Sequence, residues 1–263
     1  MLGKRRGRAR QEMTYSIIAR CPQTGAFGGA VGTSSMAVGN RCLHIGHGIG
    51  AVLSQHRTDP RLGLQGLRLL EAGMSAAGAM AEIVQAPDIG WRQLAALDKH
   101  GGIAVHHGQK MYSIYSDTQG KDVVAIGNIL ANHLITDAMV EAFEAATGQP
   151  LESRLVSALE AGREAGGEIL EPLHSAALQV SGPDGMERVD LRIDNAPEAV
   201  AALRQLLTAY GDQEAHLRRV AFSPDDVPVA RSMFDASVSR IEELELENRF
   251  PTASNKDSWT LAG

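Results

Sequence analysis

The chain has 263 residues, 44% of them hydrophobic and 21% charged, proportions of a water-soluble globule long enough to bury a sizeable core. Its formal net charge of −6 argues against nucleic acid as the main partner, because such binding rests on Lys and Arg neutralising phosphates. Two cysteines, Cys21 and Cys42, are too few for a disulfide framework, and no apolar run reaches the ~18 residues of a membrane-spanning helix, so a reduced, cytoplasmic setting without membrane or nucleic-acid partners is expected.

Residues 1–12 carry Lys4, Arg5, Arg6, Arg8 and Arg10 with no apolar segment behind them. They read as a disordered basic extension rather than a secretory signal. The folded domain is expected over residues 13–222. "TYSIIAR" (14–20) is β-branched, aromatic and apolar, a strand pattern. "CPQTG" supplies a turn, and the Gly-rich "AFGGAVGTSS" returns as a second strand pairing antiparallel with the first. "GIGAVLSQ" reads as a third, buried strand. "GLQGLRLLEAG" and "SAAGAMAEIVQA" have helical spacing, the latter with Ser75 as N-cap. "WRQLAALDKHGGIAVHHGQKMYSIYSD" returns to strands, with a turn at "KHGG", and "DVVAIGNIL" adds another. "DAMVEAFEAAT" and "LESRLVSALEAGREAG" are amphipathic helices separated by "GQP". "HSAALQVSG" and "RVDLRID" form a hairpin about "PDGM", followed by a long helix from Pro197 to Val220. Residues 223–263 are polar and read as a C-terminal extension with a short helix. The order is β, β, β, α, α, then β, β, β, α, α, then β, β, α. Antiparallel runs of strands with paired helices, and no G-x-G-x-x-G between a strand and a helix, exclude a Rossmann alternation. Two packed sheets with helices outside fit this order.

Several segments together resemble a bacterial family catalogued as domain of unknown function 1028. They are Met13-Thr14-Tyr15-Ser16; Gln55, Asp59, Pro60 and Gly63; Gly127-Asn128; Ser175-Ala176; and Asp190 to Asp194. The resemblance spans roughly residues 13–222. It implies an α+β, four-layer αββα sandwich of the Ntn-hydrolase-like kind and names no substrate. Many relatives have an acid or Arg where this chain has Gly46 and His47.

The resemblance gives Thr14 chemical interest. Once Met13 is removed, Thr14 carries a free α-amine that can serve as base for its own hydroxyl. Its plainer reading is a residue that opens a strand. Asn128, closing an apolar strand, is a candidate oxyanion donor, or else a left-handed turn residue. Antiparallel pairing brings Thr33, Ser34 and Ser35 alongside Thr14, Thr33 as a catalytic candidate and the serines as substrate contacts, unless they only cap the strand. Gln55, Arg57, Asp59 and His44 complete the expected substrate-binding set. Arg57 suits a carboxylate, or simply solvent. His44 and His47 lie three apart and point to opposite faces of a strand, so no metal site and no cofactor is expected. The reading is an Ntn-type amidohydrolase that cleaves a C–N bond of a small polar molecule. The alternative is a non-catalytic ligand-binding or assembly module of the same fold. Metal-dependent hydrolysis through His44 and His47 is a third class. Apolar stripes on several helices suit a homo-oligomer and a sandwich core equally.

Overall fold

In β1 (Thr14–Arg20), Tyr15, Ile17 and Ala19 point one way and Thr14, Ser16 and Ile18 the other, and both faces are buried. That is why Ile17, Ile18 and Ala19 follow one another as an apolar run instead of alternating with polar residues. The computed structural model describes residues 14–167, 169 and 172–246, so the expected extension at residues 1–12 and the end of the C-terminal one lie outside the described residues.

β1 pairs antiparallel with β2 (Phe27–Thr33) on one side and β8 (Val123–Asn128) on the other. With β7 (Tyr115–Gly120), β9 (Ser175–Val180) and β10 (Val189–Ile193) they form a six-stranded sheet ordered β10-β9-β2-β1-β8-β7. The "TYSIIAR" hairpin thus occupies the centre of the sheet. β3 (Leu43–Gly46), β4 (Gly50–Gln55), β5 (Gln93–Asp98) and β6 (Ile103–His107) make a second sheet in chain order. All pairings are antiparallel.

The sheets face each other, with β1 and β2 against β4 and β8 against β5. Between them lies an apolar core that includes Ile18, Phe27, Val31, Leu53, Leu97 and Ile126. α1 (Pro60–Glu71) and α2 (Ala76–Ile83) cover the outer face of the second sheet, and Val52, Leu62, Leu70, Met80, Ile83 and Leu94 fill that interface. α3 (Ile135–Ala145) and α4 (Leu151–Glu164) cover the first sheet. The architecture is a four-layer α+β sandwich, as the sequence predicts.

Four strands, not three, precede each of the first two helix pairs. β3 is the strand missing from the sequence reading of the first run. It is four residues long, bounded by a 3-10 turn and glycines, and too short to show a period. α1 also starts earlier than its leucines indicate. Asp59 is its N-cap, accepting from Arg61 N–H, and Pro60 sits in the first turn, where its missing N–H costs nothing. Ser75 caps α2 as expected, accepting from Gly78 N–H.

The chain divides between Leu207 and Thr208 into two units. The first holds both sheets, α1–α4 and the start of α5 (Ala199–Phe222), whose buried residues are Ala199, Val200, Leu203 and Leu207. The second holds the rest of α5 and α6 (Arg231–Glu243), and no residue of α6 is buried. Among the described residues no helix is long and apolar enough to cross a membrane.

Candidate active site

At one end of the space between the sheets the core becomes polar. The register puts Thr14 between Thr33 and Asn128, and all three share the inward face with Ile18, Val31 and Ile126. From the second sheet, Gln55, Gln93 and His107 extend the inward rows of Leu53, Ala95 and Val105. Thr33, Gln55, Gln93 and Asn128 are fully buried, and Thr14 is 4% exposed.

Buried amides must find partners, and here one carbonyl fixes the pattern. Gly127 O can only accept, so Gln93 presents Nε2 to it, at 2.9 Å. Gln93 Oε1 then accepts from Gln55 Nε2 at 2.7 Å and from Asn128 Nδ2 at 2.9 Å. Gln55 Oε1 in turn accepts from Ser16 Oγ at 2.6 Å. The second Gln93 N–H meets His107 Nδ1 at 3.1 Å, so that nitrogen accepts. The proton of neutral His107 is therefore on Nε2, which donates to Asp117 Oδ1 at 2.9 Å. One atom is left over: Asn128 Oδ1, buried and without a hydrogen-bond partner.

Thr14 Oγ1 donates to Thr33 Oγ1 at 3.3 Å, which also accepts from Ser35 N at 3.4 Å. Arg41 ties the following loop down. Its Nη2 donates to Ser35 Oγ at 2.6 Å, and its Nη1 to Met36 O and Ala37 O, each at 2.8 Å. Ser175 Oγ donates to Ser35 O at 2.7 Å and accepts from Val38 N–H at 3.1 Å. The structure thus gathers Thr14, Thr33, Ser35, Gln55 and Asn128 at one end of the sandwich, while Ser34 is half-buried just past β2. Asn128 has strand geometry; the left-handed residue is the next one, Ile129, at φ 55°.

The other expected residues take no part in these hydrogen bonds. His44 packs its ring where a Cβ on Gly63 of α1 would have to go. Burial holds the imidazole below its ordinary pKa. His47 Nδ1 instead approaches Ser181 Oγ, at 3.4 Å, so the two histidines serve different neighbours. Among the described residues no group of three His, Cys, Asp or Glu is placed to hold a metal ion. Asp59 is occupied as helix cap and by Arg61, whose hydrogen bonds pull its carboxyl below the usual range. Arg57 lies over the ring of Trp91, 4.3 Å from its centroid.

Sequence reasoning missed Ser16, Gln93, His107 and Asp117. A signal existed for the first two: each is a polar residue on the inward face of an apolar strand. Nothing local marks the His107–Asp117 pair, which forms only when β6 and β7 meet.

Comparisons with known proteins agree with this architecture. No curated protein matches the chain. A crystal structure of a DUF1028 protein from Silicibacter pomeroyi is similar, at 36% sequence identity and a TM-score of 0.69, over 75% of this chain and 85% of that one. The model of a family of unknown function, DUF1028, matches residues 14–203, from the threonine that opens β1 to the last buried leucine but one of α5, and the chain belongs to that family.

Proposed function

We propose that the protein is an amidohydrolase of the Ntn type, with Thr14 as nucleophile once the residues before it are removed. The observation that carries this reading is the orphaned Asn128 Oδ1 on the strand position paired with Thr14. A buried acceptor without a donor is costly, and an α-amine freed at Thr14 is a donor. In the intact chain that nitrogen is an amide and no base. After cleavage it titrates near ~8 and accepts the hydroxyl proton as Oγ1 attacks a carbonyl. Asn128 then holds the amine rather than the oxyanion, because the atom it has to spare is Oδ1, which can only accept. Ser35 N–H and Thr33 Oγ1 stand on the other side of the nucleophile. The substrate is a small polar amide, since Thr14 has little open space about it.

The test is intact-mass analysis of the purified protein before and after a β-lactone, a strained ester that acylates such a threonine. The expected result is a chain beginning at Thr14 that gains one adduct, with none in Thr14→Ala and slower labelling in Thr14→Ser. Asn128→Ala is expected to slow acylation about 100-fold, the scale of general-base assistance. It is also expected to move the pH midpoint of labelling down, because the acceptor that favours the ammonium is gone. A lower rate at an unchanged midpoint would return Asn128 to the oxyanion.

The second reading, a non-catalytic module of the same fold, draws on the burial of the amide network. A closed polar layer of this kind also fixes how two sheets dock. An intact N-terminus and no adduct at Thr14 would decide for it.

A further inference from the structure

Past β4 the chain sets two consecutive non-glycine residues in the left-handed region, His56 at φ 53° and Arg57 at φ 50°. Residues with a Cβ hold that conformation only where their surroundings impose it. Here His56 is the anchor. It is buried, its Nδ1–H donates to Trp91 O at 2.6 Å, and its ring stands edge-on to Tyr112 with centroids 5.6 Å apart. The turn delivers Arg57, an exposed residue, over the Trp91 ring. Lys110 Nζ lies 5.6 Å from the same ring centroid. Arg92, next in the chain, has a buried Nε with no hydrogen-bond partner.

Among the described residues, Arg57, Arg92 and Lys110 make no ion pair. Two acids line a depression of about 360 Å³ together with Arg92, namely Asp59 and Asp88. Asp59 is taken by Arg61, and Asp88 pairs with no cation. Burial chiefly lowers the proton affinity of His56, its hydrogen bond to Trp91 opposes this, and the charges of Arg57 and Arg92 lower it further. A guanidinium stacked on a ring keeps its N–H edge free in a fixed plane, which matches a carboxylate in bidentate fashion.

We propose that Arg57 and Arg92, assisted by Lys110 around Trp91, bind the carboxylate group of a small-molecule substrate. The inference rests on the hydrolase reading for the word substrate and deepens it. Gln55 and Gln93 precede His56 and follow Arg92 in the chain, and Gln55 hydrogen-bonds Ser16, two residues from Thr14. The cations therefore stand at the Thr14 end of the second sheet, and the molecule they hold is an amide that carries a carboxylate.

The test follows Trp91 fluorescence in the full chain with Trp259→Phe, which leaves one indole. N-acetylglycine, succinate, acetamide and inorganic phosphate are titrated at constant ionic strength. The expected result is a saturable change with the two carboxylates and none with acetamide, weakened tenfold or more by Arg57→Gln and by Arg92→Gln. Arg57 is exposed, so its variant reports even where Arg92→Gln disturbs folding. An absent or unsaturable change, an equal response to acetamide, phosphate binding tenfold tighter than either carboxylate, or unaltered binding in Arg57→Gln would overturn the proposal. Binding without acylation at Thr14 removes the hydrolase reading alone, and acylation without binding removes this site alone.

Discussion

Gln93 holds the polar end of the sandwich together through four hydrogen bonds, to Gly127 O, His107, Gln55 and Asn128. Replacing it with Leu keeps the bulk and strips every one of those partners. Unsatisfied buried polar groups cost roughly 1–3 kcal/mol each, and rearrangement recovers part of that. Gln93→Leu is expected to lose about 3 kcal/mol or more by urea unfolding, and a loss under about 1 kcal/mol would show that the network is not cooperative. Gln93 also shows why part of the site stayed hidden in the sequence. Its partners Gln55 and Asn128 lie 38 and 35 positions away, so no local spacing announces it. Thr14, Thr33 and Asn128 were legible for a different reason: two lie at the ends of one predicted hairpin, and the third closes an apolar strand with a family motif.

Antiparallel pairing converts the end of β1 into a site, because strand neighbours stand about 4.8 Å apart and Thr14 has one on each side. That much follows from a hairpin with an obvious turn. β3 did not, since four residues carry no period, and its placement depends on α1 behind it. The contact is specific: the His44 ring fills the space left by the missing side chain of Gly63. A Cβ at residue 63 would fall inside the van der Waals radius of that ring. Gly63→Ala is expected to destabilise by about 2 kcal/mol, the usual scale of overpacking, despite the better helix propensity of Ala. Adding His44→Ala is expected to recover most of this loss. Additive losses in the double mutant would mean that ring and glycine are not in conflict.

Folding takes several ionisable rings wholly or partly out of water. His44, His56 and His106 all have pKa values held below the ordinary 6.5, in each case chiefly by burial. A lowered folded-state value means that the unfolded chain takes up protons which the folded chain refuses. Stability from these groups is complete above about 6.5 and falls as the pH drops from there toward the folded-state values. Glu187 works against the trend, because burial raises its pKa and the folded state then binds the extra proton. A whole-chain comparison of pH values therefore mixes signs, and a variant is needed to separate them. His44 is the suitable position, since its Nε2 is buried without a partner and Leu removes the titration at the cost of one hydrogen bond, to the Arg41 backbone. Its share is at most about 1.4 kcal/mol per pH unit, the free energy of one proton taken up by the unfolded state alone. Urea midpoints measured at pH 7.5 and 5.5 are expected to fall further for the parent chain than for His44→Leu. Parallel losses in the two proteins would show that the ring at residue 44 protonates as freely in the folded sandwich as in the unfolded chain, and that the layer between β3 and α1 is open to water.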